Sequence, residues 1–557
     1  MKKTVLVTIW TLLPLINAFA QCSVNRYLTS PFESERSIED LDYHSALALS
    51  GLCLSESSTS FNDYDLDVYE PVGDALGARP CIVFAHGGSF LAGNKRTNPV
   101  PDFCHSMAQR GFVVFSINYR KCFNPLSTNS GVRAVYRAVQ DMKAAIRFVK
   151  ANANTFGVDT SMVFAGGNSA GAIMALHAAY LDDSERAADL PATYSNPDLG
   201  CLNCVGSNQL FYGKPKGVIN LWGALADTAW IAGSNNFPVV SFHGTSDNVV
   251  YYDTNNPFDF PLFPELMGSG PVHQRLENFG VEQLLFTLEG EGHEPWNDQQ
   301  YMDLIVEESA RFLYDQFLKP PTPQPIWDTL VCIGNQSTVW FDSGNTEGLN
   351  YCLQLPAVTV SGYGPGSVSL NFTEPGTYEM LIWSRNQWNA LSDTATVSFH
   401  VAAPPEEFEI VQAGDSLMAP SQFLSYQWLL NGVPVPDANN NVLLAETSGT
   451  YEVWVEDSGG CSVTSLPLDV VVTSIEESIT TFKVYPNPFT GVLYLDGSEI
   501  GDVKLTLFDA QGRELLARQG FLPMQLDVGS IPSGLYFLRI EIADKHEVHR
   551  LVKTGGH

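Results

Sequence analysis

Positive charge is scarce in this chain of 557 residues: 30 Lys and Arg stand against 61 Asp and Glu, a formal charge of −31. Nucleic acid and anionic membrane surfaces are polyanions, so neither is expected as a partner. Metal-ligating patterns are also missing. No His-Glu-x-x-His occurs, and the eleven histidines do not cluster at ligand spacing. Cys201-Leu202-Asn203-Cys204 has C-x-x-C spacing but no second Cys or His pair to complete a site. A local disulfide, or pairing with other cysteines, is the expected use of these two thiols. There is no P-loop, and no G-x-G-x-x-G opens a helix after a strand. Neither metal nor cofactor is implied. Beyond the N-terminus, no stretch is long and apolar enough to cross a bilayer.

The N-terminus is read as a secretory signal peptide over residues 1–20: Lys2 and Lys3, an apolar run from Val5 to Ile16, then Ala18-Phe19-Ala20. Cleavage is expected after Ala20. Gln21 before Cys22 argues against a lipoprotein. All ten cysteines lie beyond this segment, as expected for an oxidising compartment. Cys332 and Cys352, within one short β-rich region, are the expected pair there; the other pairings stay open.

What the chain does contain is Gly167-Asn168-Ser169-Ala170-Gly171. Met162–Ala165 before it reads as a buried strand, and Ala170–Tyr180 after it as a helix rich in Ala, Leu and Met. A serine between glycines at such a junction sits on a tight turn that lifts its hydroxyl above the sheet. Upstream, the apolar strand Cys81–Ala85 runs into His86-Gly87-Gly88-Ser89-Phe90, a turn able to offer backbone N–H groups to an oxyanion. Downstream, Phe237–Phe242 ends in His243-Gly244-Thr245-Ser246-Asp247. Gln283–Leu288 is closed by Gly290-Glu291-Gly292-His293. Oxyanion loop, serine, aspartate and histidine thus follow in order, each after a predicted strand.

The roles expected for acyl transfer follow. Ser169 attacks, His293 takes and returns the proton, and Asp247 orients the imidazole. The N–H groups of Gly87, Gly88 and Ala170 hold the oxyanion. Asp227, after the strand-like run from Val218 to Leu225, is the alternative to Asp247. His86 and His243 are read as structural residues of their turns, and Glu291, Glu294 and Asp298 as a solvated acidic rim.

With these motifs, residues 62–318 resemble an α/β-hydrolase of the carboxylesterase/lipase group. Leu66–Pro71 resembles its first core strand, 111–120 the strand after the oxyanion loop, and Asp141–Ala151 the helix before the nucleophile strand. The resemblance implies a doubly wound, mostly parallel α/β sheet and a secreted serine carboxylesterase acting on an ester substrate. Ser89 departs from the group, which often has a third glycine there. Two segments are expected to shape the substrate site: Asp182–Tyr212, with Tyr194, Phe211 and Tyr212, and the aromatic Tyr251–His273. An extracellular peptidase would use the same triad, and a non-catalytic binding protein could keep the scaffold. The His-Gly-Gly turn and the intact triad favour ester hydrolysis.

Length implies several domains. A catalytic domain over 21–318 is followed by a proline-rich linker at 319–326. Short alternating strands take over beyond it. Pro375-Gly376-Thr377-Tyr378-Glu379 recurs as Ser448-Gly449-Thr450-Tyr451-Glu452. Residues 327–402 and 403–473 resemble two immunoglobulin-like β-modules, read as spacers. Residues 481–557 carry Val484-Tyr485-Pro486-Asn487-Pro488-Phe489, Gly534–Arg539 and His549–Lys553, and resemble the C-terminal sorting domain of the type IX secretion system. That resemblance implies the outer-membrane secretion machinery as a partner and release or attachment at the cell surface.

Overall fold

The computed structural model describes residues 25–555 apart from 50–51, 57, 186–189, 191–195, 234, 342–348, 356–357, 365, 473–481, 498–501 and 543–544. The expected signal peptide, Gln21, Cys22 and Tyr194 lie outside the described residues.

Eight strands build the main sheet: β1 (Ser34–Leu47), β2 (Phe61–Pro71), β3 (Arg79–Ala85), β4 (Val113–Ile117), β5 (Val158–Asn168), β6 (Val218–Leu221), β7 (Val239–Gly244) and β8 (Gln283–Leu288). Their order is β1-β2-β4-β3-β5-β6-β7-β8. β1, β2 and β4 pair antiparallel; from β4 through β3 to β8 every pairing is parallel. Parallel strands joined by helical crossovers are covered on both faces, so they read as continuous apolar runs. β3 shows this, with all seven residues buried.

One face is covered by α1 (Val100–Gln109) and α5 (Gln299–Leu313), which pack Phe103, Met107, Met302 and Ile305 against Ile82, Phe84 and Phe164. The other carries α2 (Thr128–Ala151), α3 (Ala170–Tyr180) and α4 (Ser269–Asn278), with Val139, Met142, Met174, Leu176 and Val272 against Val83 and Val163. α3 is buried at all eleven positions, as an all-round apolar helix must be. This is the expected doubly wound α/β architecture. The C-terminal ends of β3, β5, β7 and β8 lie along one edge of the parallel part of the sheet, with β6 between β5 and β7, and the motif turns leave from them.

The chain forms two compact units: 1–405 with 458–461, and 406–457 with 462–557. In the first, strands over 330–402 make a four-stranded and a three-stranded sheet around Val339, Leu370, Ile382 and Val397. The proline-rich run is bonded to these strands, since Pro321 O accepts from Ser384 Oγ and Lys319 pairs with Asp393 at 2.8 Å. The second unit contains sheets over 411–470 around Trp428 and sheets over 482–553 around Leu505, Leu538 and Leu551. Here the three C-terminal motif blocks meet. Asn487 bonds the backbone of Arg550 and Val552, and Gly534–Ile542 pairs with Lys545–Lys553.

Cys201 and Cys204 form the expected local disulfide, and Cys53 is bonded to Cys122. The expected Cys332–Cys352 pair is corrected. Cys332 is bonded to Cys461, because residues 458–461 belong to the first compact unit and bring the two Cα atoms within 5.4 Å. Proximity in sequence was the wrong guide.

Candidate active site

Ser169 is the residue between β5 and α3, at φ 54° and ψ −120°. A positive φ on a non-glycine residue is strained and persists only where its surroundings enforce it. The enforcing contacts are backbone. A Cβ on Gly171 would overlap Ala85 O, and one on Gly167 would overlap the Gly171 carbonyl. The turn therefore passes so close to the end of β3 that only glycine fits on either side of the serine.

His293 stands across from it, with Nε2 2.9 Å from Ser169 Oγ and Nδ1 2.7 Å from Asp247 Oδ2. Asp247 Oδ1 accepts N–H bonds from Val249 at 2.8 Å and Val250 at 3.1 Å. Burial pushes the Asp247 carboxyl up, but donors from His243, His293 and Val249 outweigh it and bring it to about 2. The carboxylate is thus an acceptor at any working pH, and it holds His293 with Nδ1 protonated and Nε2 bare toward the serine. Trp222, fully buried, packs its ring edge-on at 6.3 Å from that of His293. Asp227, the alternative acid, instead caps a short helical turn by accepting from Ala229 N.

At the end of β3, Gly88, Ser89 and Phe90 have φ of 119°, 54° and 58°. A Cβ at Gly88 would overlap Ala92 O. Ser89 and Phe90 thus hold φ in the left-handed range that favours glycine. The expectation for Gly87 is corrected: its N–H donates to Asn168 Oδ1 at 2.9 Å and is not free. Among the described residues, the N–H groups of Gly88, Ser89 and Ala170 have no bonded acceptor. Three open donors thus lie on the two turns, at Gly88, Ser89 and Ala170; Ser89 and Ala170 line the cleft with Ser169, and Ser89 was not anticipated.

Asn168 was missed as well. Its buried amide ties the nucleophile turn to the oxyanion loop, and its Nδ2 lies 3.4 Å from Glu294 Oε1 in the histidine loop. The signal was present, since Asn168 carries the one amide side chain in the pentapeptide. His86 is structural, as read: its Nδ1 bonds Gly87 O, it stacks on Tyr119, and burial lowers it to about 4.

A cleft of about 530 Å³ opens from Ser169, lined by Phe90, Phe123, Ile173, Val250, Phe258 and Phe263 among others. The second expected segment supplies Pro257, Phe258, Phe263, Pro264 and Leu266. The first supplies none of its described residues, because hydrogen bonds pin it to α2. Arg133 holds Pro197 O, Tyr136 holds Gly200 O, Gln140 holds the carbonyls of Leu199 and Cys201, and Arg147 holds Val205 O. Phe211 and Tyr212 remain exposed. Among the described residues no group of three or more His, Cys, Asp or Glu is placed to hold a metal.

Comparison with known proteins places these features. Residues 66–200 match the family model BD-FAE, and residues 483–554 match the model of a secretion system C-terminal sorting domain. A neuroligin-like protein of Caenorhabditis elegans is 40% identical over 17% of this chain and 12% of its own length. Feruloyl esterase B of Talaromyces funiculosus is 25% identical over 36% of this chain and 59% of its own. The chain thus spans between about an eighth and three fifths of these relatives. Among solved structures, esterase 2 of Thermogutta terrifontis aligns at 22% identity and a TM-score of 0.35, over 47% of this chain and 92% of that one. The sorting domain indicates export, to the cell surface or the medium. The chain therefore carries a BD-FAE α/β-hydrolase domain with esterase and lipase homologues, and ends in a type IX secretion sorting domain.

Proposed function

We propose that the protein is an exported serine carboxylesterase that cleaves carboxylic esters through an acyl-enzyme on Ser169. The observation that carries this is the continuous Ser169–His293–Asp247 hydrogen-bonded line beside three open N–H donors. Ser169 Oγ attacks the ester carbonyl as His293 Nε2 takes its proton. Negative charge grows on the carbonyl oxygen toward the N–H groups of Gly88, Ser89 and Ala170, and each such donor is worth about 3 kcal/mol of barrier. His293 returns the proton to the leaving alcohol, and Asp247 stabilises the intervening imidazolium. Water then enters by the same route and releases the acid.

The cleft supports an apolar acyl or aryl group, because four phenylalanine and proline side chains from 257–264, together with Phe90, face it with few polar atoms. The relatives named feruloyl esterase B fit an aryl acyl group. The test is hydrolysis of p-nitrophenyl esters of increasing acyl length, and of methyl ferulate, by the full chain beside Ser169→Ala. A loss of roughly a thousandfold or more in the variant, as for removal of a triad nucleophile, is expected. If both proteins are equally inert toward every ester, the proposal fails.

A further inference from the structure

Behind Asp247, a line of buried polar side chains crosses the sheet. His243 at the end of β7 places Nε2 2.8 Å from Val250 O and 3.4 Å from Asp247 Oδ2. Its Nδ1 lies 2.8 Å from Ser269 Oγ at the start of α4. Asn220 on β6 donates through Nδ2 to Ser269 Oγ at 3.0 Å and to Ser241 Oγ at 2.7 Å. Ser241 Oγ is 2.7 Å from His273 Nε2, and His273 Nδ1 faces Gln283 Oε1. His243, Asn220, Ser241 and Ser269 have no exposed surface.

The hydrogen directions follow from chemistry. Gly223 N–H points at the Asn220 amide from 3.0 Å and can only donate, so the atom it meets is Oδ1. Both Nδ2 hydrogens then go to the two serine oxygens. Each serine keeps its own hydrogen for the imidazole beyond it. His243 Nε2 faces only acceptors and must carry a proton, whereas Nδ1 receives the Ser269 hydroxyl and is bare. A second proton, on Nδ1, would leave the Ser269 hydroxyl hydrogen with no acceptor in a buried site, a costly state.

We infer that Asn220 and Ser269 hold His243 as a neutral imidazole, which reserves the charge of Asp247 for His293. This rests on the proposed triad. His243 is a positioning residue: its Nε2–H bonds Val250 O and lies 3.4 Å from Asp247 Oδ2 without adding a second cation beside the imidazolium that forms on His293. The titratable groups around it are Asp247, His293 beyond Asp247, and Tyr252, whose ring is edge-on at 5.7 Å. β6 and α4 present the uncharged Asn220 and Ser269, and β8 places Thr287 opposite it. Among the described residues, the imidazolium that forms on His293 is then the one positive charge paired with Asp247.

The experiment is the kcat of the full chain on p-nitrophenyl acetate from pH 5.5 to 8.5, for wild type, Ser269→Ala and Ser269→Cys. Without the hydroxyl, nothing directs a hydrogen at His243 Nδ1, and a proton there no longer strands a buried hydroxyl hydrogen. The wild-type/Ser269→Ala ratio of kcat is expected to grow as pH falls, to about tenfold near pH 6, with KM little changed, the size of effect that one buried hydroxyl hydrogen without an acceptor carries. Ser269→Cys, a near-isosteric weak donor, should move in the same direction by less, and it carries the test if the alanine variant does not fold. A ratio that is constant across pH would overturn the relay, since a merely structural defect lowers kcat equally everywhere. An inert wild type would overturn the esterase reading itself, a separate outcome.

Discussion

The turn that carries Ser169 and the hairpin turn at Gly512 in the sorting domain both depend on glycine, for opposite physical reasons. Gly167 and Gly171 have ordinary φ, yet any Cβ there would collide with the backbone of β3 or of the turn itself. Gly512 has open space on every side and φ of +80°, so only its conformation excludes other residues. Asp509 secures that outer turn by accepting from the N–H groups of Gln511 and Arg513 and pairing with Arg513 Nε at 2.7 Å. One turn is built against neighbouring backbone, the other against itself. The first should tolerate no added atom, and the second should absorb one at a modest cost.

The sharpest way to break this comparison is Gly171→Ala. Its methyl must displace Ala85 O and the strand end beside the oxyanion loop, so a fall in kcat/KM of at least about a hundredfold is expected, on the scale of losing an oxyanion donor. Near-wild-type ester hydrolysis by this variant would show that the close approach is not required.

Acid provides a second contrast. Burial pushes the Asp141 carboxyl up, but Arg120 and His44 outweigh it and bring the group to about 2. A carboxyl lowered in the fold stabilises fully above its unfolded value near 4, and that stability is lost as pH falls toward 2. The hydrolase sheet should therefore lose on the order of 2 kcal/mol from Asp141 across that window. Denaturant titrations followed by tryptophan fluorescence at pH 4 and pH 2.5 measure it, and Asp141→Asn should show a flatter pH dependence.

Asn168→Ala tests the tether between the two catalytic turns. Gly87 N–H would lose its acceptor, and the Gly88–Ser89 donors would be held less firmly, so kcat should fall by about tenfold, less than loss of a whole donor. An unchanged kcat would mean that the glycine packing alone holds the loop. The smallest effect is expected at Gly512→Ala. A left-handed alanine costs about 1 kcal/mol, visible as faster hydrogen exchange across 502–521, with ester hydrolysis unaltered.

Much of this site is legible in the sequence, because its residues are carried by short motifs that each end a strand. Ser169, Asp247 and His293 meet where a parallel sheet brings its strand ends together, and strand order with motif order was enough to anticipate it. Asp227 was separable from Asp247 only in three dimensions, since both follow strand-like runs and one of them caps a helical turn. The misjudged disulfide at Cys332 and the cap segment at 182–212 share a cause: their partners are far away in sequence, at Cys461 and along α2.

The hydrolase architecture, the strand-end motifs of Ser169, Asp247 and His293, the local disulfide at Cys201 and the sorting domain are each legible in short motifs, because each motif is carried by residues a few positions apart. Tertiary structure alone decided which N–H groups stay open, which loop walls the cleft, and how Asn220 and Ser269 reach His243. Those depend on hydrogen bonds between strands and helices 20 or more residues apart. Their partners are set by packing geometry, which no local pattern encodes.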